Sequence, residues 1–568
     1  MRKRIASAAV LMALVLAGCA EQKPQTTAVD FNKLVDDFVY GSLALSPVSA
    51  TGAGYHAHNG KSLDEALDDY GAYGIEATRK FYTGFASRLD GLNPATLDKE
   101  QLADVAIMRN NIQLSLLDLN EIQTYKHSPQ SYAELVGNAL YTPYVLNYAP
   151  KEQRFGHIIS RLRQVPALML QAKANLVDAP EVWNRVAREE NSGNIDLIDQ
   201  LLRKETPDAQ KAEYALVAAP ALAALREFTT YLEKELSKKT SDWRLGKEKY
   251  AKKFEWTLAI GKTPEQLLAS AEADLKATRE KMAALAAPRS VKEALDEIAK
   301  QHSTPATYMP DAKKTLEQAS AFVKQKDLVT LPAQSNLQVI ETPAFMRGIY
   351  GVGGFNSAPP LQPELGAFYW VTPIPSTWSK DRVDSKLREY NSFGLQHLTV
   401  HEAMPGHYVQ LEVANSIEPK SRRVLRSVFG NGPYIEGWAF YTQQMMTEEG
   451  YMDNAVGMRM TLYKQILRAL ANAILDIRLQ TMGMTDQQAL DLMINDTYQE
   501  KEEATAKLQR AQLSSSQLPM YYSGWKAWLE LREKDKQRKG AAFSLKGFHD
   551  RALKESAVPM PVLDGLLQ

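Results

Sequence analysis

The sequence predicts a mainly α-helical globule with one small β-hairpin or sheet, on three observations. Apolar residues recur at helical spacing through most of residues 29 to 328, helix-start signals stand at the heads of such stretches, and Gly, Pro and β-prone residues gather in one segment, 331–376. The 568 residues, 45% of them hydrophobic, can bury a substantial core. With 67 basic against 67 acidic residues the formal net charge is zero. No bulk field then draws the chain to nucleic acid or to an anionic membrane surface, and specificity must come from a local site.

The chain opens MRKRIASAAVLMALVLAGCA, which reads as a signal peptide over residues 1–18. A basic head (Arg2, Lys3, Arg4) precedes an apolar run from Ala6 to Ala17 that is too short to span a bilayer, and small residues follow. Leu16-Ala17-Gly18-Cys19 resembles a bacterial lipobox, which makes Cys19 the lipidated first residue of the mature chain. Ala20 after it resembles the pattern of lipoproteins sent to the outer membrane. The expected location is therefore the cell envelope, lipid-anchored in the outer membrane and facing the periplasm, with membrane contact through that anchor only. Cys19 is the single cysteine, so the mature chain can form no internal disulfide. Residues 19–28, polar and Pro-containing, suit a tether.

A helical N-terminal region is expected over 29–330. Phe31, Leu34, Val35, Phe38 and Val39 mark one buried helix face. Thr263-Pro264-Glu265-Gln266 combines a capping box with Pro at the first helical position. From 331 to the end a second region is expected, with short strands followed by helices. LQVIET and AFYWVT are its β-prone runs, and 331–376 is the only segment that reads as strand. Helical character returns near 382, and Thr485 to Gln488 repeats the cap before ALDLMI. The strands precede a histidine cluster, so an exposed edge there could hold an extended peptide by main-chain hydrogen bonds; a purely structural hairpin is the alternative.

That cluster, HLTVHEAMPGHYVQ at 397–410, holds three of the chain's nine histidines. Zinc hydrolases need neutral imidazoles and a carboxylate about 2 Å from the ion, an open position for water and a base. HExxH places two His one helical turn apart. Here His407 follows His401-Glu402 two residues too late, and on an unbroken helix six residues turn through roughly 600°, leaving the second His about 120° off the first one's face. Pro405 and Gly406 meet the difficulty. Pro removes a helical hydrogen bond and Gly admits backbone angles barred to other residues, so together they can end the helix and swing His407 back toward His401. His397 and His401, at i and i+4, are a competing pair, and three packed core histidines are the plain alternative.

A third ligand is expected from another element. NGPYIEGWAFYTQQMM, 431–446, offers Glu436 among apolar neighbours, where a carboxylate is costly unless paired or on a metal. Gly437 could let this helix approach the histidine helix closely. Pairing of Glu436 with Arg422, Arg423 or Arg426 is the alternative.

HEAMPGHYVQ, EGWAFYTQQ, YYSGWKAWLELREK and the terminal FHDRALKESAVPMPVL resemble the bacterial domain of unknown function 885, many of whose members are classed as lipoproteins. The resemblance covers most of the mature chain and is concentrated in 340–568. That family is grouped with gluzincin-type zinc peptidases and shares a largely helical architecture with carboxypeptidase Taq-like enzymes. The resemblance thus implies Zn2+ on His401, His407 and Glu436, with Glu402 as base. Family members often carry a second His after PGH; here that position is Tyr408, which is not taken as a ligand.

The implied chemistry is attack by a zinc-activated water whose proton Glu402 accepts and passes to the leaving amine. A second donor should meet the developing oxyanion, with Tyr521, Tyr522 and His549 as candidates; the family's YxxG pattern favours Tyr521. Arg532 could bind a substrate carboxylate bidentately, or form a surface salt bridge. A mostly helical globule with a buried motif suggests an enclosed channel, hence short peptides as substrates. Two other functions remain open on sequence: a zinc amidase acting on a cell-wall or modified-peptide amide, and a non-catalytic lipid-anchored binding protein. An intact Glu402 argues against the last, since a structural zinc site needs no base.

Overall fold

Helices begin where short polar side chains can satisfy their first free N–H groups. In the computed structural model, which describes residues 30–333, 336–343, 346–347 and 351–568, Asp30 accepts from Lys33 N and starts α1 (Phe31–Leu45). The predicted face of α1, from Phe31 to Val39, is buried. Thr263 with Gln266 and Thr485 with Gln488 form complete capping boxes at the heads of Pro264–Ala286 and Asp486–Asp491. The expected signal peptide, lipidation residue Cys19 and tether lie outside the described residues. With 72% of the described residues helical, and sheets of only two and three strands among them, the fold is mainly α, as the sequence predicts.

The larger hydrophobic core runs from Phe31 to Leu567 and takes side chains from both sides of residue 330. A second core lies between Val48 and Leu236. Among the described residues no helix is long and apolar enough to cross a membrane.

Strand also occurs outside 331–376. β1 (Ala57–His58) pairs antiparallel with β2 (Lys61–Ser62) across Asn59-Gly60, both at positive φ. Asn-Gly is a strong hairpin signal, so this small ladder was legible and corrects the expectation of a single strand segment. The two β-prone runs become β3 (Leu337–Glu341) and β5 (Ala367–Val371), and they pair in parallel. Between them in sequence lies β4 (Gly353–Asn356), antiparallel to β5, giving the order β3-β5-β4. Fully buried β5 is the central strand. Gly353 is required where β4 meets it, because a Cβ there would lie 2.4 Å from Trp370 O. β4 is left on an edge.

Candidate metal centre

The histidine motif sits on two helices and the turn between them. α2 (Ser392–Glu402) is capped by Asn391, whose Oδ1 accepts from Phe393 N and Gly394 N. Thr399 on its buried side meets Thr315 Oγ1 at 2.6 Å and Tyr369 OH at 3.3 Å, tying α2 to β5. The helix stops after Glu402: Ala403 leaves helical angles, the Met404–Pro405 peptide is cis, and α3 (His407–Ala414) begins with Gly406 as its cap. Gly406 N–H donates back to Val400 O at 3.0 Å. A Cβ on Gly406 would fall 1.9 Å from His401 O and 2.4 Å from Val400 O, so no other residue fits this turn. The break brings the His401 and His407 rings to 4.8 Å between centroids, nearly perpendicular.

Glu436 comes from α4 (Gly432–Glu448), which starts at Asn431, its Oδ1 accepting from Tyr434 N. Two residues on, Trp438 Nε1 donates to Pro405 O at 2.9 Å and Gly406 O at 3.2 Å, fastening α4 to the turn between the histidines. Glu436 Oε2 lies 3.5 Å from His401 Nε2 and 3.6 Å from His407 Nε2, and the three ligand atoms are all within 4.8 Å of one another. These separations are long for hydrogen bonds. The two Glu436–His distances match the spacing of about 3.4 Å between atoms that sit about 2.1 Å from a shared tetrahedral ion. Among the described residues Oε2 is also buried without a hydrogen-bond partner, as a ligand oxygen would be in a protein without its ion. Two imidazoles and a carboxylate are a zinc-type donor set, and the residues present fit the metal. One feature departs from well-supported metal sites: His407 Nδ1 has no hydrogen-bond partner among the described residues to orient the ring.

The electrostatics agree with mutual attraction. Burial pushes the Glu436 carboxyl up, but His401 and His407 outweigh it and hold it well below the usual carboxylate range. Burial pushes the His407 imidazolium down, and Glu436 outweighs that in turn.

The cluster opens on a cavity of about 370 Å³, to which Glu402, Tyr521 and the edge strand residues Gly353 to Phe355 also contribute. Glu402 makes no hydrogen bond or ion pair among the described residues. Tyr521, on α7 (Pro519–Lys539), stacks at 6.2 Å from the His401 ring.

Other candidates are drawn elsewhere. His397 is fully buried with Nε2 on Met458 O at 3.1 Å, and does not join the ligand cluster. Tyr522 donates to Asp274 at 2.8 Å, away from the cavity. His549 is a core residue between Leu328 O (2.7 Å) and Tyr441 OH (2.8 Å). Arg532 takes the surface-pair role with Glu448 at 2.8 Å. Arg422 and Arg426 hold Asp104, and Arg423 holds Glu418, so none of them pairs with Glu436. The expected partner of Gly437 is corrected: it packs against Gly524 of α7, a Cβ at 437 lying 2.4 Å from Gly524 C. This contact brings the helix of Glu436 against the helix of Tyr521.

His397 gives a test of ligand assignment. Burial pushes its imidazole down to about 4. Unfolded imidazoles titrate near 6.5, so between about pH 6.5 and 4 the unfolded chain binds a proton that the folded chain refuses, and stability is lost as pH falls through that window. His397→Ala should keep wild-type zinc content and show a shallower fall of the thermal midpoint from pH 6.5 to 4. Lost zinc would instead make His397 a ligand.

Arg468, Lys507 and Arg510, which also line the cavity, escaped the sequence reading. A signal for Lys507 existed. On α6 (Lys501–Leu513) the buried residues are Ala504, Lys507, Leu508 and Ala511, an i, i+3, i+4, i+7 stripe with a lysine in an otherwise apolar series.

The family model of bacterial protein of unknown function (DUF885) matches residues 47–567. The solved structure of a candidate lipoprotein of unknown function from Shewanella oneidensis is 29% identical, with a TM-score of 0.79 over 95% of this chain and 100% of that one. A candidate lipoprotein from Colwellia psychrerythraea, 18% identical, has a TM-score of 0.78 over 94% and 98% of the two chains and shares the fold. No curated protein matches the chain.

Proposed function

We propose, from the premise that this chain belongs to the bacterial DUF885 family of proteins of unknown function, that it is a zinc-dependent hydrolase of peptide bonds acting on short peptides at the cell envelope. The observation that carries this reading is the convergence of His401, His407 and Glu436 beside Glu402, unpaired among the described residues, in one cavity. The HExxPGH spacing with a glutamate ligand from a later helix supports a gluzincin-type grouping. Zinc, when bound, polarises the scissile carbonyl and makes water a nucleophile near neutral pH.

The chain's own residues supply the rest. Glu402, next to a ligand but outside the ligand set, accepts the water's proton and delivers it to the leaving amine. Tyr521 OH accepts a hydrogen bond from Arg510 Nη2 at 3.1 Å, which leaves the phenolic proton to donate to the developing oxyanion. Burial pushes the Tyr521 phenol up, so it holds that proton at neutral pH. The edge of β4 offers main-chain groups for an extended substrate. A cavity of about 370 Å³ favours a short one. The lipobox-like Leu16–Cys19, with the Shewanella oneidensis structure described as a candidate lipoprotein, supports a lipid anchor, and Ala20 after Cys19 favours the outer membrane facing the periplasm.

Digestion of a randomised peptide library, read by mass spectrometry, tests the reading. New termini should appear with zinc-loaded protein and vanish with chelator. A library left intact by protein of full zinc content would remove peptide hydrolysis as the function.

A further inference from the structure

Three basic side chains that are not part of the His401, His407 and Glu436 cluster line the cavity: Arg468, Lys507 and Arg510. Arg468, on α5 (Val456–Thr481), has Nη1 3.8 Å from Glu389 Oε1 and donates to Tyr390 OH at 3.1 Å. Glu389 is already 2.7 Å from Lys464 Nζ, so one buried carboxylate serves two cations. Among the described residues Arg510 reaches only neutral atoms, Gln517 Oε1 and Tyr521 OH, both at 3.1 Å. Lys507, one helical turn before it, is 6% exposed, and its ammonium makes no hydrogen bond or ion pair among the described residues.

An unpaired buried cation is costly, and an anion arriving from outside the chain removes that cost. Burial pushes the Lys507 ammonium well down, Arg468 and Arg510 push in the same direction, and the more weakly acting carboxylates Glu503 and Glu389 oppose them without making a direct ion pair among the described residues. The two neighbouring cations on the cavity wall are in different states of readiness: Arg468 is committed to Glu389, while Arg510 has a guanidinium with no carboxylate to hold among the described residues. A planar fork beside a free ammonium suits a carboxylate.

We infer that Lys507 and Arg510 form a subsite for the C-terminal carboxylate of the peptide substrate. The inference rests on the zinc-hydrolase reading and gives it a direction. Arg510 bonds Tyr521, whose ring lies 6.2 Å from that of His401, so the carboxylate is held close to the ligand cluster. An extended residue spans only about 3.5 Å, which sets the cleaved bond within about two residues of the C-terminus. Arg532, the carboxylate binder that sequence suggested, faces Glu448 instead.

Three randomised tetrapeptide libraries test the subsite: one with free C-terminal acids, one with C-terminal amides, and one amidated but ending in Glu. Each is offered to zinc-loaded full-length wild type for hydrolysis and to zinc-loaded Glu402→Gln for binding by calorimetry. The acid library should bind and be cleaved about tenfold or more better than the amide library. Lys507→Met, which replaces an unpaired charge by an apolar chain and should fold at least as well, should reduce that preference to near unity with zinc content kept. If the Glu-ending amides match the acids, the subsite takes a carboxylate from either source; if they match the plain amides, it reads the terminus alone. Equal handling of acids and amides overturns the subsite even if both are cleaved, which leaves peptide hydrolysis standing. Absence of binding by all three also overturns it, as does an acid preference that Lys507→Met leaves intact.

Discussion

Glu402→Gln should retain the zinc of the wild-type chain while hydrolysis falls about 10²- to 10⁴-fold, the usual contribution of a positioned proton acceptor. The carboxamide keeps the size and shape of the side chain and loses only the capacity to accept a proton. Zinc should stay because Glu402 is outside the His401, His407 and Glu436 cluster. The fold should stay too, since among the described residues Glu402 makes no ion pair whose loss would strand a partner. Metal analysis and peptide hydrolysis on the same preparation separate the outcomes. Unchanged hydrolysis would take Glu402 out of the mechanism, and lost zinc would make it a ligand. His401→Ala, by contrast, should lose zinc and activity together.

The features that could be read from sequence are local ones. Thr263 with Gln266 and Thr485 with Gln488 are three residues apart, and each pair closes its own cap without help from the rest of the chain. The turn at Pro405-Gly406 is likewise written in adjacent residues, and so its geometric purpose was legible. Glu436 was visible because a carboxylate in an apolar helix is conspicuous. Pairings across distance were not visible. Nothing in LQVIE and AFYWV says that they run parallel, and the strand that completes their sheet, GGFN, begins with the residue type least favoured in strands. Gly437 announced a close approach, but which helix approaches is fixed by Gly524, 87 residues on in the numbering of the chain. Arg532 and Arg510 are both helix arginines; only packing decides that one faces Glu448 and the other a cavity.

Gly406→Ala should cost more than its single methyl suggests, with zinc affinity falling at least about 100-fold and stability by about 1–3 kcal/mol or more. The added Cβ would stand 1.9 Å from His401 O, 2.4 Å from Val400 O and 2.6 Å from His401 C, and all three are backbone atoms. No rotamer change relieves such a contact. The turn itself is held from two sides, by Gly406 N–H on Val400 O and by the Trp438 indole on the carbonyls of Pro405 and Gly406. Relief must therefore come from moving the backbone that carries His401 or His407, the two residues whose spacing the turn exists to close. A displacement near 1 Å is enough to spoil a constellation of this kind. Gly52→Ala, where an added Cβ meets nothing within 4 Å, is the matched control and should change neither quantity appreciably. Chelator competition gives the affinity and thermal unfolding of the metal-free proteins gives the stability. A Gly406→Ala protein that binds zinc like wild type would mean that the Pro-Gly turn does not set the ligand geometry, and the six-residue histidine spacing would need another explanation.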